Sequence, residues 1–383
     1  MASSSEVVGA GSANEPEIKE KMKSEGGSER RLRLCNKQRC SSIFKRSDAD
    51  GDCLMNRWTP KWQPTSDKLL EEAEAKVLGC LTVPYESFFV EIDGGENKIR
   101  TIKLNPSNST KTPFVLVHGF GSGTALWSLN LEALSEMRPV YAFDILGFGR
   151  SSRPKFPFGS QAAEEEFVRS IEEWRKAVGL EHMILVGHSM GGFLSTAYCL
   201  VHPDRVKHLV LLDPWGYPER QEEDLNNLPF WVRVIGTIVL SFNPLSSLRA
   251  AGPFGPWLVQ KTRGDIGRKF ASLCEDNRIS QYIYHCNAQY PAGEKAFKDM
   301  SSQMGWAANP MIKRVGDIPA NLPISMVFGS RSWMDFSIGK EVRKLRSRSR
   351  VDVQIIKGAG HHVYADKFWE VNPLVNNFCK HVQ

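Results

Sequence analysis

The stretch Leu185-Val186-Gly187-His188-Ser189-Met190-Gly191-Gly192 decides how this chain is read. It carries Gly-x-Ser-x-Gly, preceded by the apolar run Met183 to Val186 and followed by a helix-competent run, Phe193 to Val201. Strand, sharp turn and helix form the setting of a nucleophile elbow, in which a strained turn lifts a serine oxygen above a sheet. A serine hydroxyl is a poor nucleophile at neutral pH, so Ser189 needs an exposed position and an adjacent base. Gly187 and Gly191 stand where a side chain would crowd that turn. The pentapeptide alone also fits a glycine-rich strand-to-helix turn without chemistry. The strand and helix on its two sides favour the elbow.

Outward from the elbow, strand-like and helical runs alternate. Phe88 to Ile92 and Ile99 to Leu104 pair around Gly94-Gly95. Phe114 to Val117 reads as a buried strand ending in His118-Gly119-Phe120-Gly121. Val140 to Phe143 runs into a turn at Asp144, and a helix over about 162–178 leads to the elbow strand. Val206 to Leu212 is a further strand. From Pro214 to Ile318 the alternation stops, which predicts an inserted cap. Within it, Leu228 to Leu245 carries one charge, Arg233, and is broken by Asn243-Pro244. That run is too short to span a bilayer and reads as cap packing, an acyl-pocket lining or a lipid-surface element. The rhythm resumes with strands Ile324 to Phe328 and Val351 to Ile356, a basic helix between them (Lys340 to Arg346), and one final helix to about Val382. The pattern predicts an α/β fold with a mostly parallel central sheet, helices on both faces and an inserted cap. Ligands then bind beyond the carboxyl ends of the strands. The expected divisions are a disordered basic tail (1–50), a Trp-containing segment and helix (51–82), a core in two parts (83–213 and 319–383) and the cap (214–318).

Composition narrows the function classes. The 383 residues, 41% hydrophobic with 20 Phe and 10 Trp, suffice for a large core. The net charge of +6 is mild and does not point to nucleic acid. Eight scattered cysteines without Cys-x-x-Cys suggest a reducing compartment rather than disulfides or zinc. Neither a secretory apolar segment nor a spanning run is read, and no cofactor or metal is expected. Between Arg30 and Arg46 there are seven basic residues and no acid, a solvated tail or a segment drawn to an anionic membrane. Trp58 and Trp62, in a Pro-containing segment, suit either a lipid-surface anchor or the flank of the domain.

A serine nucleophile needs an imidazole base and a carboxylate that orients it, in the chain order Ser, Asp or Glu, His. Ser189 is followed by Asp335 past the next-to-last strand and by His361 past the last. His362 is the rival base; His361 is preferred because it directly follows Gly360. Asp213, after the strand that follows the elbow helix, is the rival acid, with Asp335 preferred. The expected oxyanion donors are the backbone N–H groups of Phe120 and Met190. His118 and His188 flank the site and read as hydrogen-bonding supports, with Gly119 admitting the backbone. A metal at His118, His188 and His361 has no ligand spacing behind it. Serine at the elbow excludes a carboxylate nucleophile of the dehalogenase or epoxide-hydrolase kind and points to acyl chemistry: ester or amide hydrolysis, or acyl transfer.

Longer motifs carry a resemblance over about Trp58 to the C-terminus: Trp-Thr-Pro-Lys-Trp-Gln-Pro-Thr-Ser, Val-His-Gly-Phe-Gly, Phe-Asp-Ile-Leu-Gly-Phe-Gly-Arg-Ser-Ser-Arg-Pro, Ser-Ile-Glu-Glu-Trp-Arg, Asp-Pro-Trp-Gly-Tyr-Pro, Tyr-Ile-Tyr-His-Cys-Asn and His-His-Val-Tyr-Ala-Asp. The chain resembles the α/β-hydrolase-domain subfamily of the lyso-N-acylphosphatidylethanolamine lipase and the lipid-droplet co-activator of adipose triglyceride lipase. The resemblance implies the α/β-hydrolase fold. Lipase-like members have serine at the nucleophile place, as here; the vertebrate co-activator has asparagine and lacks hydrolase activity. The family motif His-x-x-x-x-Asp, associated with acyl transfer to lysophosphatidic acid, matches His361 and Asp366. Asp366 is expected to fix the His361 loop rather than to react. Trp58 and Trp62 match a droplet-anchoring segment in type, and Arg331 matches a position linked to lipase co-activation. The implied function is a serine lipid acyl-hydrolase or acyltransferase. Its implied substrate is a lysophospholipid or N-acyl phospholipid at a lipid-droplet or membrane surface, and its implied partner a triglyceride lipase or droplet coat protein. The implied place is cytoplasmic, on lipid droplets or the endoplasmic reticulum, with mitochondria as an alternative. A non-catalytic scaffold that activates a separate lipase, and a soluble small-ester hydrolase, are the competing readings.

Overall fold

Side chains alternate strictly across the central strands, and that alternation builds two cores. In the computed structural model, which describes residues 65–220, 244–274, 277–302 and 305–383, eight strands form one sheet: β1 (Glu86–Ile92), β2 (Asn97–Leu104), β3 (Phe114–Val117), β4 (Val140–Phe143), β5 (Met183–His188), β6 (Val206–Leu212), β7 (Ile324–Gly329) and β8 (Val351–Ile356). Their order is β1-β2-β4-β3-β5-β6-β7-β8. β1 and β2 are antiparallel, as are β2 and β4; all other pairings are parallel. Val115, Val117, Met183, Leu185, Leu209 and Leu211 enter one core. Their neighbours Phe114, Leu116, Ile184, Val186, Val210 and Leu212 enter the other. A parallel sheet is covered on both faces, which is why β3 and β5 read as unbroken apolar runs.

The helices, among the described residues, are α1 (Asp67–Leu78), α2 (Ser128–Ser135), α3 (Ser160–Val178), α4 (Met190–Val201), α5 (Pro244–Ala250), α6 (Gly255–Thr262), α7 (Gly264–Lys269), α8 (Arg278–Ala288), α9 (Ala292–Met300), α10 (Ile338–Leu345), α11 (Val363–Asp366) and α12 (Phe368–Phe378). α3 lays Phe167, Ile171 and Trp174 on one face of the sheet. α2 and α12 cover the other with Leu131, Leu134, Val371 and Val375. The single C-terminal helix expected from sequence is two, because Lys367 leaves helical geometry at φ −140°, ψ 45°. Arg138 then clamps the end of the chain: its Nη2 donates to the carbonyls of Cys379 (2.9 Å) and Val382 (3.1 Å).

Between β6 and β7 the chain leaves the sheet, and α5 to α9 lie there. Asn287 on α8 donates to the Gly121 carbonyl at 2.8 Å, so the cap grips the loop after β3. Arg249 pairs with Glu294 at 2.8 Å. α1 packs on α8, with Thr65 Oγ1 2.9 Å from His285 Nδ1. Cys199, Cys286 and Cys379 are buried free thiols, and Cys80 Sγ lies 2.6 Å from Cys274 Sγ. Trp58, Trp62, the basic tail and most of the Leu228 to Leu245 run lie outside the described residues.

Trp174 tests the packing of α3 against the sheet. It is fully buried, stacks on Phe143 with ring centroids 4.5 Å apart, and donates from Nε1 to Thr101 Oγ1 at 2.9 Å. Trp174→Ala is expected to lower unfolding free energy by about 3–5 kcal/mol in a denaturant titration, the range for emptying a large aromatic site. Trp174→Phe, which loses the hydrogen bond and part of the ring volume, should cost less, about 1–3 kcal/mol.

Candidate active site

Ser189 sits between the end of β5 and the start of α4 with φ +51° and ψ −119°. A non-glycine residue at positive φ is strained by roughly 1–3 kcal/mol and persists only where its surroundings fix it. Here they do. Its N–H donates to the Leu212 carbonyl at 3.2 Å, and its carbonyl accepts from Gly192, Phe193 and Trp215 at 3.0 to 3.1 Å. The turn also demands bare backbone. A Cβ on Gly191 would stand 2.2 Å from the Val117 carbonyl oxygen, and one on Gly187 2.5 Å from the Gly191 oxygen.

His361 lies after β8 and reaches back over β7 and β6. Its Nε2 is 3.0 Å from Ser189 Oγ, and its Nδ1 is 2.6 Å from Asp213 Oδ2. With Nδ1–H donating to the carboxylate, Nε2 is left as the acceptor facing the serine hydroxyl. Asp213 directly follows β6, has φ +47° and is fully buried. The Gly329 N–H donates to its Oδ1 at 3.1 Å, and the Ser332 hydroxyl donates to Oδ2.

This geometry corrects the preferred acid. Asp335 is exposed and spends its carboxylate on Ser337, accepting from the backbone N–H at 2.8 Å and from the hydroxyl at 2.6 Å at the entry to α10. The physical reason is strand order. β6 lies beside β5, so the residue that ends β6 emerges next to the elbow, whereas Asp335 lies several residues beyond the end of β7. The Asp-x-Ser spacing ahead of a helix was the sequence signal for a local turn. Ser332 was not singled out from sequence, and a lone serine in a loop offers no signal by which to find it.

The remaining histidines are supports. His118 Nδ1 is 2.8 Å from the Gly119 carbonyl, and the Ile145 N–H donates to Nε2 at 3.0 Å, which fixes a neutral ring with its proton on Nδ1. Burial holds its pKa down at about 4. In a trans peptide the carbonyl and the next N–H point opposite ways. Tying the Gly119 carbonyl to His118 therefore turns the Phe120 N–H away from His118. A Cβ on Gly119 would come within 3.1 Å of Ser189 Cβ, so this backbone runs against the nucleophile. Met190, the other expected oxyanion donor, is the first residue of α4. His188 donates from Nε2 to the His361 carbonyl at 2.9 Å, and burial sets its pKa well below the usual value. His362 makes no contact with Ser189; burial, then the charge of Lys269, pushes its pKa well down. Asp366 accepts from the Gly360 N–H at 2.7 Å and pairs with Lys269 of the cap at 3.0 Å, so it braces the His361 loop. Among the described residues no group of three His, Cys, Asp or Glu is placed to hold a metal.

Ser189 and His361 open into a cavity of about 580 Å³ whose wall includes Phe120, Trp215, Phe297 and Trp333, with Arg263, Asp265 and Lys269 from the cap. A second cavity of about 210 Å³ shares Trp215, Gly305 and Trp333 with it and adds Gly216, Pro218, Trp306, Ala307, Met334 and Asp335. A largely apolar cavity thus adjoins the one that holds the relay.

The family described as alpha/beta hydrolase fold matches residues 112–368. The chain is 50% identical over 317 residues to the Homo sapiens protein named 1-acylglycerol-3-phosphate O-acyltransferase ABHD5, covering 82% of this chain and 90% of that one. It is 49% identical over 320 residues to the Homo sapiens (lyso)-N-acylphosphatidylethanolamine lipase, covering 83% and 93%. A solved membrane phospholipase A, described as a bacterial virulence factor, superposes with a TM-score of 0.59 at 21% identity, over 82% of this chain and 91% of that one. At that identity the likeness is one of fold.

Two outcomes follow. Asp213→Asn should cut turnover of an activated ester by about ten-thousand-fold, the effect of losing the carboxylate that fixes the imidazole tautomer; Asp335→Asn should keep most of it. The reverse ranking would restore Asp335. In the second, His118 titrates near 6.5 when unfolded and about 4 when folded. Its neutral form therefore contributes stability that is full above pH 6.5 and is lost as pH falls toward 4. Urea midpoints across that window should drop, and less steeply in His118→Gln.

Proposed function

Because the chain belongs to the α/β-hydrolase family, we propose that it is a serine lipid acyl-hydrolase or acyltransferase acting on lysophospholipids or N-acyl phospholipids. The observation that carries this reading is the Asp213–His361–Ser189 relay, at 2.6 and 3.0 Å, opening into a cavity beside which a largely apolar one lies. The names of the two relatives support the lipid class.

In this reading the acyl chain lies along Trp215, Trp306 and Met334, with its carbonyl carbon at Ser189 Oγ. Oγ attacks as its proton passes to His361 Nε2. Asp213 holds the resulting imidazolium through Nδ1–H. The negative carbonyl oxygen lies between the N–H groups of Phe120 and Met190; each such donor contributes about 2.7–4 kcal/mol to the barrier reduction. Collapse expels the alcohol, which takes the proton from Nε2 and leaves an acyl-serine. Water, or the hydroxyl of a second lysolipid, then attacks with His361 as base, giving hydrolysis or acyl transfer.

We further propose that the protein works on a lipid surface, on droplets or the endoplasmic reticulum. Trp333 lines the cavity yet is 71% exposed, and Phe336 beside it is 40% exposed. Tryptophan at a mouth of this kind suits the water–lipid boundary. Arg331, exposed on the same turn, is the place where a lipase or droplet protein would dock.

Labelling by a fluorophosphonate probe tests the reading, followed by product analysis from mixed lysophospholipids. Wild type should label and consume specific lipids, and Ser189→Ala should do neither. Labelling in both proteins, or lipid turnover by Ser189→Ala, would overturn the assignment.

A further inference from the structure

The cavity wall is not uniform. Phe120, Trp215, Phe297 and Trp333 make part of it apolar, while the cap contributes Arg263, just before α7, and Lys269, at its end, with Asp265 in its first turn. Arg263 and Asp265 stay about half in solvent at the cavity wall, while Lys269 is largely covered and needs an anionic partner. Their mutual contacts are loose. Arg263 Nε reaches Asp265 at 3.1 Å, while Nη2 stands 3.5 Å from the other oxygen. Lys269 lies 3.7 Å from Asp265, beyond a hydrogen bond, and its closer partner is Asp366 at 3.0 Å. Half of the Arg263 side chain is exposed, whereas Lys269 is largely covered.

We propose that Arg263 and Lys269 form a subsite for the phosphate group of a single-chain lipid, with Asp265 as the anion that this phosphate displaces. The assignment rests on the lipid-hydrolase reading above and names the headgroup chemistry within it. A phosphate monoester carries about −1.5 to −2 charge at neutral pH against −1 for a carboxylate, so the exchange favours the lipid. The guanidinium edge matches two phosphate oxygens, and the ammonium has donors left beyond Asp366. Burial opposes the charge on Asp265, but Arg263 and Lys269 outweigh it and hold its carboxyl below the usual range, so the group that the phosphate must displace is a carboxylate. The same two cations help depress His362 on the adjoining wall, a sign that the cap side of the cavity is electropositive. Position is set as well. Asp366 binds Lys269 and the Gly360 N–H together, which ties the subsite to the loop that carries His361. Ser189 and the cationic pair line one cavity, with the largely apolar one beside it.

The test compares kcat/KM on octanoyl lysophosphatidate with that on monooctanoylglycerol, which share the chain and differ in the phosphate. The ratio of the two should fall about tenfold or more in Arg263→Gln and in Lys269→Gln, the scale of one charge-assisted hydrogen bond, and should rise in Asp265→Asn. Opposite signs are the signature, because residues that merely staple the cap would shift both substrates together. A ratio unmoved by all three changes, or lowered by all three, overturns the subsite. Inorganic phosphate distinguishes the source: it should compete only weakly, and competition equal to that of the lysolipid would assign the pair to free phosphate instead. Should wild type turn over neither lipid, the hydrolase reading fails on its own. Calorimetric binding of the same two lipids to the three variants then decides the subsite by the same ratio.

Discussion

One close approach underlies the whole molecule: the start of α4 pressed against the end of β3, with Gly191 backed onto the Val117 carbonyl. That contact sets how sharply the chain turns after β5, and the turn sets the positive φ of Ser189. The strain is carried by the neighbouring strand, through Leu212 of β6 and Trp215 just beyond it, so the elbow cannot relax without parting β5 from β6. Preorganisation of this kind places the cost in folding rather than in the reaction.

A second constraint is electrostatic. His118, His188, His361 and His362 crowd the site, with the rings of His188 and His361 4.8 Å apart and those of His188 and His362 5.4 Å apart. Burial keeps His118, His188 and His362 uncharged, so the imidazolium that forms at His361 meets neutral rings and the Asp213 carboxylate rather than three like charges. The supporting histidines also share out the backbone: one orients the Gly119 carbonyl, another holds that of His361.

Much of this was legible in the sequence, for identifiable reasons. Strands buried on both faces leave continuous apolar runs, so the interior strands were readable nearly to the residue. Ser189 announced itself because its glycines are demanded by local sterics. His361 followed from chain order and a glycine-rich turn after the last strand. The acid did not. Asp213 and Asp335 both follow strands, and only lateral strand order, which no local pattern encodes, puts the first beside the elbow. Ser332, Asn287 and Lys269 were invisible for the same reason: each acts through a contact far away in sequence, between residues with no spacing rule. The paired tryptophans at 58 and 62 lie outside the described residues.

The relay is assembled from residues spread unequally along the chain. The nucleophile and its acid come from consecutive strands, but the base arrives only after the entire cap has been made, on the turn past the final strand. During synthesis, then, the hydroxyl is exposed for a long interval without an imidazole to activate it. A chain that stops short of the last turn holds the nucleophile and its acid but no base, so reactivity is gained only when β8 and the turn that bears His361 are in place.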